Sequence, residues 1–153
     1  MTKIASCLLV AVVFSSLALA DDVSFNRVKV PDPKGKPTPA VLTFSDADKA
    51  IEIRPQKGDA VTIPYSEIDT CSYEYTRKHR INDLTVITAP LGVGAVAMMT
   101  KSRSHWLEIH YMRHDIRNTY ILRMEKHEYL RILDAVKAHT GKDVEILGNA
   151  VKR

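Results

Sequence analysis

Apolar residues recur at every second position along most of this chain, and only near its end does the spacing lengthen to that of a helix. Residues 23–30 (VSFNRVKV) alternate as a half-buried strand should. Residues 31–39 hold four prolines in nine positions, which fixes φ, removes backbone donors and predicts an extended loop. Residues 40–44 and 50–54 read as a hairpin, with Val41, Leu42 and Phe44 set against Ile51 and Ile53 across the polar turn 45–49. A short strand at 61–63 is stopped by Pro64, and residues 70–76 place Cys71, Tyr73 and Tyr75 on one face, Ser72 and Glu74 on the other. In 105–111 (HWLEIHY), Trp106, Glu108 and His110 alternate with Leu107, Ile109 and Tyr111. A polar hairpin loop is expected at 112–118 and a last clear strand at 119–124. Then the period changes. Tyr129, Ile132, Leu133 and Val136 fall at i, i+3, i+4 and i+7, with Gly141 just beyond, which predicts an amphipathic helix of about four turns with a glycine C-cap. Residues 142–147 add a short extended tail.

Seven strand-like segments followed by one C-terminal helix, with tight turns and no βαβ spacing, make a mainly β domain of antiparallel character. The order resembles the pleckstrin-homology-like (PH-like) superfamily, a seven-stranded antiparallel barrel closed by a C-terminal amphipathic helix. It is most similar to GRAM-like and small bacterial PH-like domains. The residues that carry the likeness are the hairpin Leu42-Thr43-Phe44…Ile51-Glu52-Ile53, the step Ile63-Pro64-Tyr65-Ser66-Glu67-Ile68 and the late strand Tyr120-Ile121-Leu122-Arg123. It covers roughly residues 41–140. The resemblance implies a binding or scaffolding module. The chain departs from it in an apolar insertion at about 78–104.

Residues 1–20 (MTKIASCLLVAVVFSSLALA) read as an export signal: Lys3 begins it, an apolar run follows, and Ala18-Leu19-Ala20 makes a cleavage site before Asp21. The run is shorter than the ~20 residues that span a bilayer. Ile4-Ala5-Ser6-Cys7 is similar to a lipidation box, but Cys7 opens the apolar run instead of closing it. Cleavage at Ala20 leaves an exported chain, periplasmic or secreted, divided into a strand and proline-rich loop at 21–40 and a PH-like domain at 41–147. At 153 residues there is room for one domain, and 45% hydrophobic and 26% charged residues are ordinary globular values. The exported chain keeps one cysteine, Cys71, so an internal disulfide is excluded. Its surroundings read as a strand core.

Residues 84–100 (LTVITAPLGVGAVAMMT) contain no charged residue and are flanked by Arg77, Lys78 and Arg80 before and Lys101 and Arg103 after. Such a segment reads as a buried element packed on the barrel, as an insertion lying against a bilayer with cationic flanks, or as a short membrane span. Charge is uneven in the same sense. Residues 21–76 carry 7 Lys+Arg and 10 Asp+Glu, whereas 77–131 carry 10 and 5. Arg77, Lys78, Arg80, Lys101, Arg103 and Trp106 therefore form the candidate binding surface, for an anionic lipid or membrane surface or a protein partner. Nucleic acid is set aside for an exported chain.

The sequence motif Gly92-Val93-Gly94-Ala95-Val96-Ala97 lacks the βαβ context of a dinucleotide site, so no cofactor is expected. His105 and His110 have opposite parity on one strand, and no pair of histidines has metal-ligand spacing on a helix, so no metal is expected either. The function these features support is an exported, non-enzymatic binding or scaffolding module at a bacterial envelope surface, peripheral to the membrane. The alternatives are a small envelope enzyme using Cys71 or a histidine pair such as His110 and His114, and a structural subunit of an envelope complex.

Overall fold

A computed structural model describes residues 22–32, 36–76 and 103–147. Residues 1–20, expected to be an export signal, and the apolar stretch 84–100 lie outside the described residues. Eight strands and one helix follow in order: β1 (Val23–Pro31), β2 (Pro37–Ser45), β3 (Ala50–Pro55), β4 (Val61–Pro64), a 3-10 turn (Tyr65–Glu67), β5 (Ile68–Thr76), β6 (Ser104–Arg113), β7 (Ile116–Met124), α1 (Tyr129–Thr140) and β8 (Val144–Leu147). They form one sheet in the order β4-β3-β2-β1-β7-β6-β5-β8. All neighbours are antiparallel except β5 and β8.

The domain is mainly β, as the alternation predicts, with one strand more than expected and no closed ladder. The extra strand explains the opening. The tail after the helix runs parallel to β5, pairing Cys71 with Val144 and Glu74 with Leu147, so the free edge of β5 is occupied and β4 cannot join it. The gap is bridged by Arg113, whose Nε donates to Glu67 Oε2 at 3.2 Å and whose Nη2 donates to the carbonyl of Thr62 on β4 at 2.7 Å.

Several boundaries differ from those expected. Thr38 and Pro39 belong to β2, because Pro39 pairs with Lys29 and its missing N–H leaves the strand otherwise intact. Val41 pairs with Arg54 and points away from Leu42 and Phe44, as strict period-2 geometry requires. The polar run 112–118 is no loop. β6 and β7 pair as far as Arg113 and Ile116, and only His114 and Asp115 turn the chain, both with φ in the left-handed region (52° and 61°) that a tight primed turn needs.

The core lies on one face. Leu42, Phe44, Ile51, Ile53, Ile63, Leu107, Ile109 and Leu122 are fully buried there with Cys71. Helix α1 covers them and adds Ile132, Val136 and Ala135. It has about three turns, not four. Gly141 ends it in the left-handed conformation (φ 69°), its N–H donating to the carbonyl of Lys137 at 3.0 Å. Tyr129 and Leu133 are only half-buried, so the seam narrows to Ile132 and Val136.

Ile132→Ala should therefore cost about 2–5 kcal/mol, because a fully buried side chain is lost from a packed core. Leu133→Ala should cost less, and Lys137→Ala should change little, since its bridge to Asp143 is exposed. Urea denaturation of the three variants checks the order; equal midpoints for Ile132→Ala and the parent contradict helix docking.

Candidate functional site

The two faces of β5, β6 and β7 carry different chemistry because period 2 separates their residues. On the core face, at the end of the β5–β6 ladder, Tyr75 pairs across the strands with His105. The His105 ring lies 4.0 Å from that of Tyr129, at 15°, and 4.6 Å from that of Tyr75. Its Nδ1 is hydrogen-bonded to the Tyr73 hydroxyl at 2.8 Å. Outermost, the Arg103 guanidinium lies 6.0 Å from the centre of the Tyr75 ring, at the margin of cation–π reach. The result is a ladder of rings: Tyr73 buried, His105 and Tyr129 half-buried, Tyr75 and Arg103 exposed. Burial, and secondarily the nearby charge of Lys126, lowers the pKa of His105. At neutral pH the ladder is a neutral aromatic surface carrying cations at its rim.

The next pair along, Thr76 with Ser104, closes the ladder. Arg77 follows Thr76 directly and Arg103 precedes Ser104, so the two basic runs found in the sequence start from one end of one strand pair. Of the six expected site residues, Arg103 stands at that end. Trp106 does not project into solvent. It is fully buried against Ile121, on the face of the sheet opposite the core, and its Nε1 donates to the carbonyl of Thr76 at 3.3 Å. Arg77, Lys78, Arg80 and Lys101 lie outside the described residues. Tyr75, His105 and Tyr129 were missed, because their convergence depends on strand register and on where the helix returns. The one available signal was the density of Tyr and His around the basic runs.

On the outer face, Ser72 pairs with Glu108, and His110 with Thr119. Ser72 Oγ lies 3.4 Å from His110 Nε2, and Glu108 Oε2 lies 3.4 Å from the same nitrogen. His110 Nδ1 is hydrogen-bonded to Thr119 Oγ1 at 2.7 Å. A Ser-His-acid relay needs the acid and the nucleophile on opposite ring nitrogens. Here both share Nε2, and Nδ1 is taken by a hydroxyl. His114 sits apart in the β6–β7 turn, exposed, so the two histidines do not pair. The Cys71 thiol is fully buried, and burial pushes its pKa up to about 12, far from a reactive thiolate. Among the described residues no group of three or more His, Cys, Asp or Glu side chains is placed to hold a metal. No helix among them is long and apolar enough to cross a membrane.

Two solved structures share this architecture. The Spt16D–Pob3N heterodimer, which has a PH-like fold, matches with a TM-score of 0.53 and 14% identity over 88% of this chain and 58% of that one. The chain thus spans a little over half the length of that relative. The hSac2 domain of the human phosphoinositide phosphatase Sac2 matches with a TM-score of 0.50 and 11% identity, over 86% of this chain and 80% of that one. The fold is pleckstrin-homology-like. No protein-family model matches the chain, and no curated protein matches it in sequence. The PH-like fold accounts for the helix across the core face; it assigns no chemistry to the ring ladder or to the outer-face cluster.

That cluster makes stability depend on pH. Burial, with the neighbouring charge of Glu74, raises the Glu108 pKa from 4.5 to about 7. The native state then holds a proton that the unfolded chain has released, so stability falls as pH rises from about 4.5 to about 7. His110 acts in the opposite sense. Burial, then Arg117, lowers its pKa, so stability is lost as pH falls below its unfolded value of 6.5. Glu108→Gln should raise stability at pH 8 by on the order of 3 kcal/mol and leave it nearly unchanged at pH 4. Thermal melts at the two pH values check this; equal shifts at both contradict it.

Proposed function

We propose that this chain is an exported, non-enzymatic PH-like binding module that docks peripherally, through the β5–β6 end, on an anionic surface of the bacterial envelope. One observation carries the reading: the pairing of Thr76 with Ser104 sets the roots of both basic runs beside the ring ladder. Arg103 and Lys126 supply charge there, Tyr75 and Tyr129 supply amphipathic rings, and Arg77, Lys78, Arg80 and Lys101 extend the cationic patch in sequence. Cations attract anionic head groups at about 1 kcal/mol each near a surface, and tyrosine rings suit the interfacial layer. The relatives in fold are compatible with this assignment, one being a domain of a phosphoinositide phosphatase and the other an assembled heterodimer. The buried Cys71 and the shared Nε2 of His110 weigh against the enzyme reading.

Co-sedimentation of the exported form, beginning at Asp21, with phosphatidylglycerol vesicles and with phosphatidylcholine vesicles tests this reading. Binding should favour the anionic vesicles, weaken in salt, and drop about tenfold in Arg103→Glu, which reverses one surface charge. Equal binding to both vesicles, or an Arg103→Glu variant that binds like the parent, contradicts it.

A further inference from the structure

The β1–β3 half of the sheet carries a feature that the docking end does not use. Between the pairs Phe25–Leu42 and Val28–Ala40, β1 has two residues, Asn26 and Arg27, where β2 has only Val41. A bulge of this kind bends its strand and re-aims side chains, and bulges cluster next to binding sites. Beside it is a concavity of about 370 Å3 walled by Pro39, Val41 and Pro55, with Asn26 and Arg54 at its rim. A second, of about 330 Å3, shares Asn26 and Pro39 with the first and is lined by Arg27, Lys29 and Glu125. Each is at the lower end of the range of about 300–1,000 Å3 that small-molecule sites occupy.

The two hollows differ in chemistry. The first is apolar, made of two proline rings and a valine. Its Arg54 is engaged with Glu52 at 2.6 Å. In the second, Lys29 pairs with Glu125 at 3.5 Å. Arg27 is exposed and has no ion-pair partner among the described residues, so the charge left uncompensated between the hollows is a guanidinium. A strand cannot be added here, because β2 is paired on both sides, with β1 and β3, and an extended peptide would find no free ladder. A compact ligand fits better than a chain.

We propose that the paired hollows astride the β1 bulge bind a small amphiphilic carboxylate, with its hydrocarbon tail against Pro39, Val41 and Pro55 and its head group on Arg27. An apolar body buried on such walls gains from leaving water, and a guanidinium offers two parallel donors to a carboxylate. This site lies on the opposite half of the sheet from Arg103 and Tyr75, and stands or falls independently of envelope docking.

Octanoate titrated into the isotope-labelled full chain, with octanol as the uncharged control, tests the proposal by residue-resolved NMR. Saturable shifts are expected at the amides of Asn26, Arg27, Val41 and Gln56, with octanol at least tenfold weaker. Arg27→Glu should weaken octanoate at least tenfold while the rest of the spectrum stays in place. Val41→Glu, at a half-exposed position, should abolish both responses. Shifts that stay linear with concentration, an equal response to octanol, or an unaltered affinity in Arg27→Glu overturn the proposal. So do shifts centred on Tyr75 and Arg103, an outcome that leaves envelope docking intact.

Discussion

Two halves of one sheet meet at its shortest ladder, and a single helix lies across the junction. β1 and β7 meet through one paired position, Lys29 with Arg123, whereas the ladders within each half run for four to nine pairs. Helix α1 spans the junction. At its start, Tyr129 stacks on His105 and, at 5.7 Å, on Tyr73, both from the β5–β6 half. Near its end, His139 stacks on Phe44 at 5.4 Å, and its Nδ1 lies 3.0 Å from Asp46 Oδ1 at the β2–β3 turn. Ten residue steps of helix, at about 1.5 Å each, separate the two contacts. Between the two contacts, Ile132 and Val136 are fully buried in the one core that both halves share. Hydrophobic burial therefore adds, across the seam, to the short ladder between β1 and β7.

That arrangement leaves the outer face free to hold polar groups. With the core committed to one face and the helix covering it, Ser72, Glu108, His110 and Thr119 gather on the other, where burial first, and neighbouring charge second, shifts the pKa of Glu108 up and of His110 down. Arg117 reaches Asp69 nearby and lowers that carboxyl's pKa, so fixed charge and suppressed charge lie within one strip of the sheet. The two proposed binding surfaces fall on different halves: the ring ladder forms where the helix lands on β5–β6, and the bulge lies on β1.

Much of this was legible in the alternation of apolar residues. The hairpin of Leu42 and Phe44 with Ile51 and Ile53 has the register that the pattern implies, Phe44 opposite Ile51 and Leu42 opposite Ile53. The helix appears where the spacing lengthens, and His105 and His110 take opposite faces as parity demands. What escaped reading depends on contacts far apart in sequence. Residues 112–118 are polar because the β6–β7 hairpin projects into water, and polarity alone does not separate a loop from an exposed strand. The tail at 144–147 is too short to announce itself as a parallel strand. Trp106 shares parity with Glu108, so the sequence places it outside the core, yet Ile121 on the neighbouring strand buries it. The stack of Tyr75, His105 and Tyr129 joins three elements, and no local pattern encodes such a meeting.

If one helix unites the two halves, they must unfold together. Trp106, the only tryptophan, reports on the β5–β7 half by its fluorescence. The backbone amides of Leu42 and Ile53 report on the other half by NMR. Urea unfolding of one sample followed by both signals is the most direct measurement. Superimposable transitions, with one midpoint and one slope, are the predicted result. A Trp106 transition separated from that of Leu42 and Ile53 would mean that the halves are independent and that the helix does not join them.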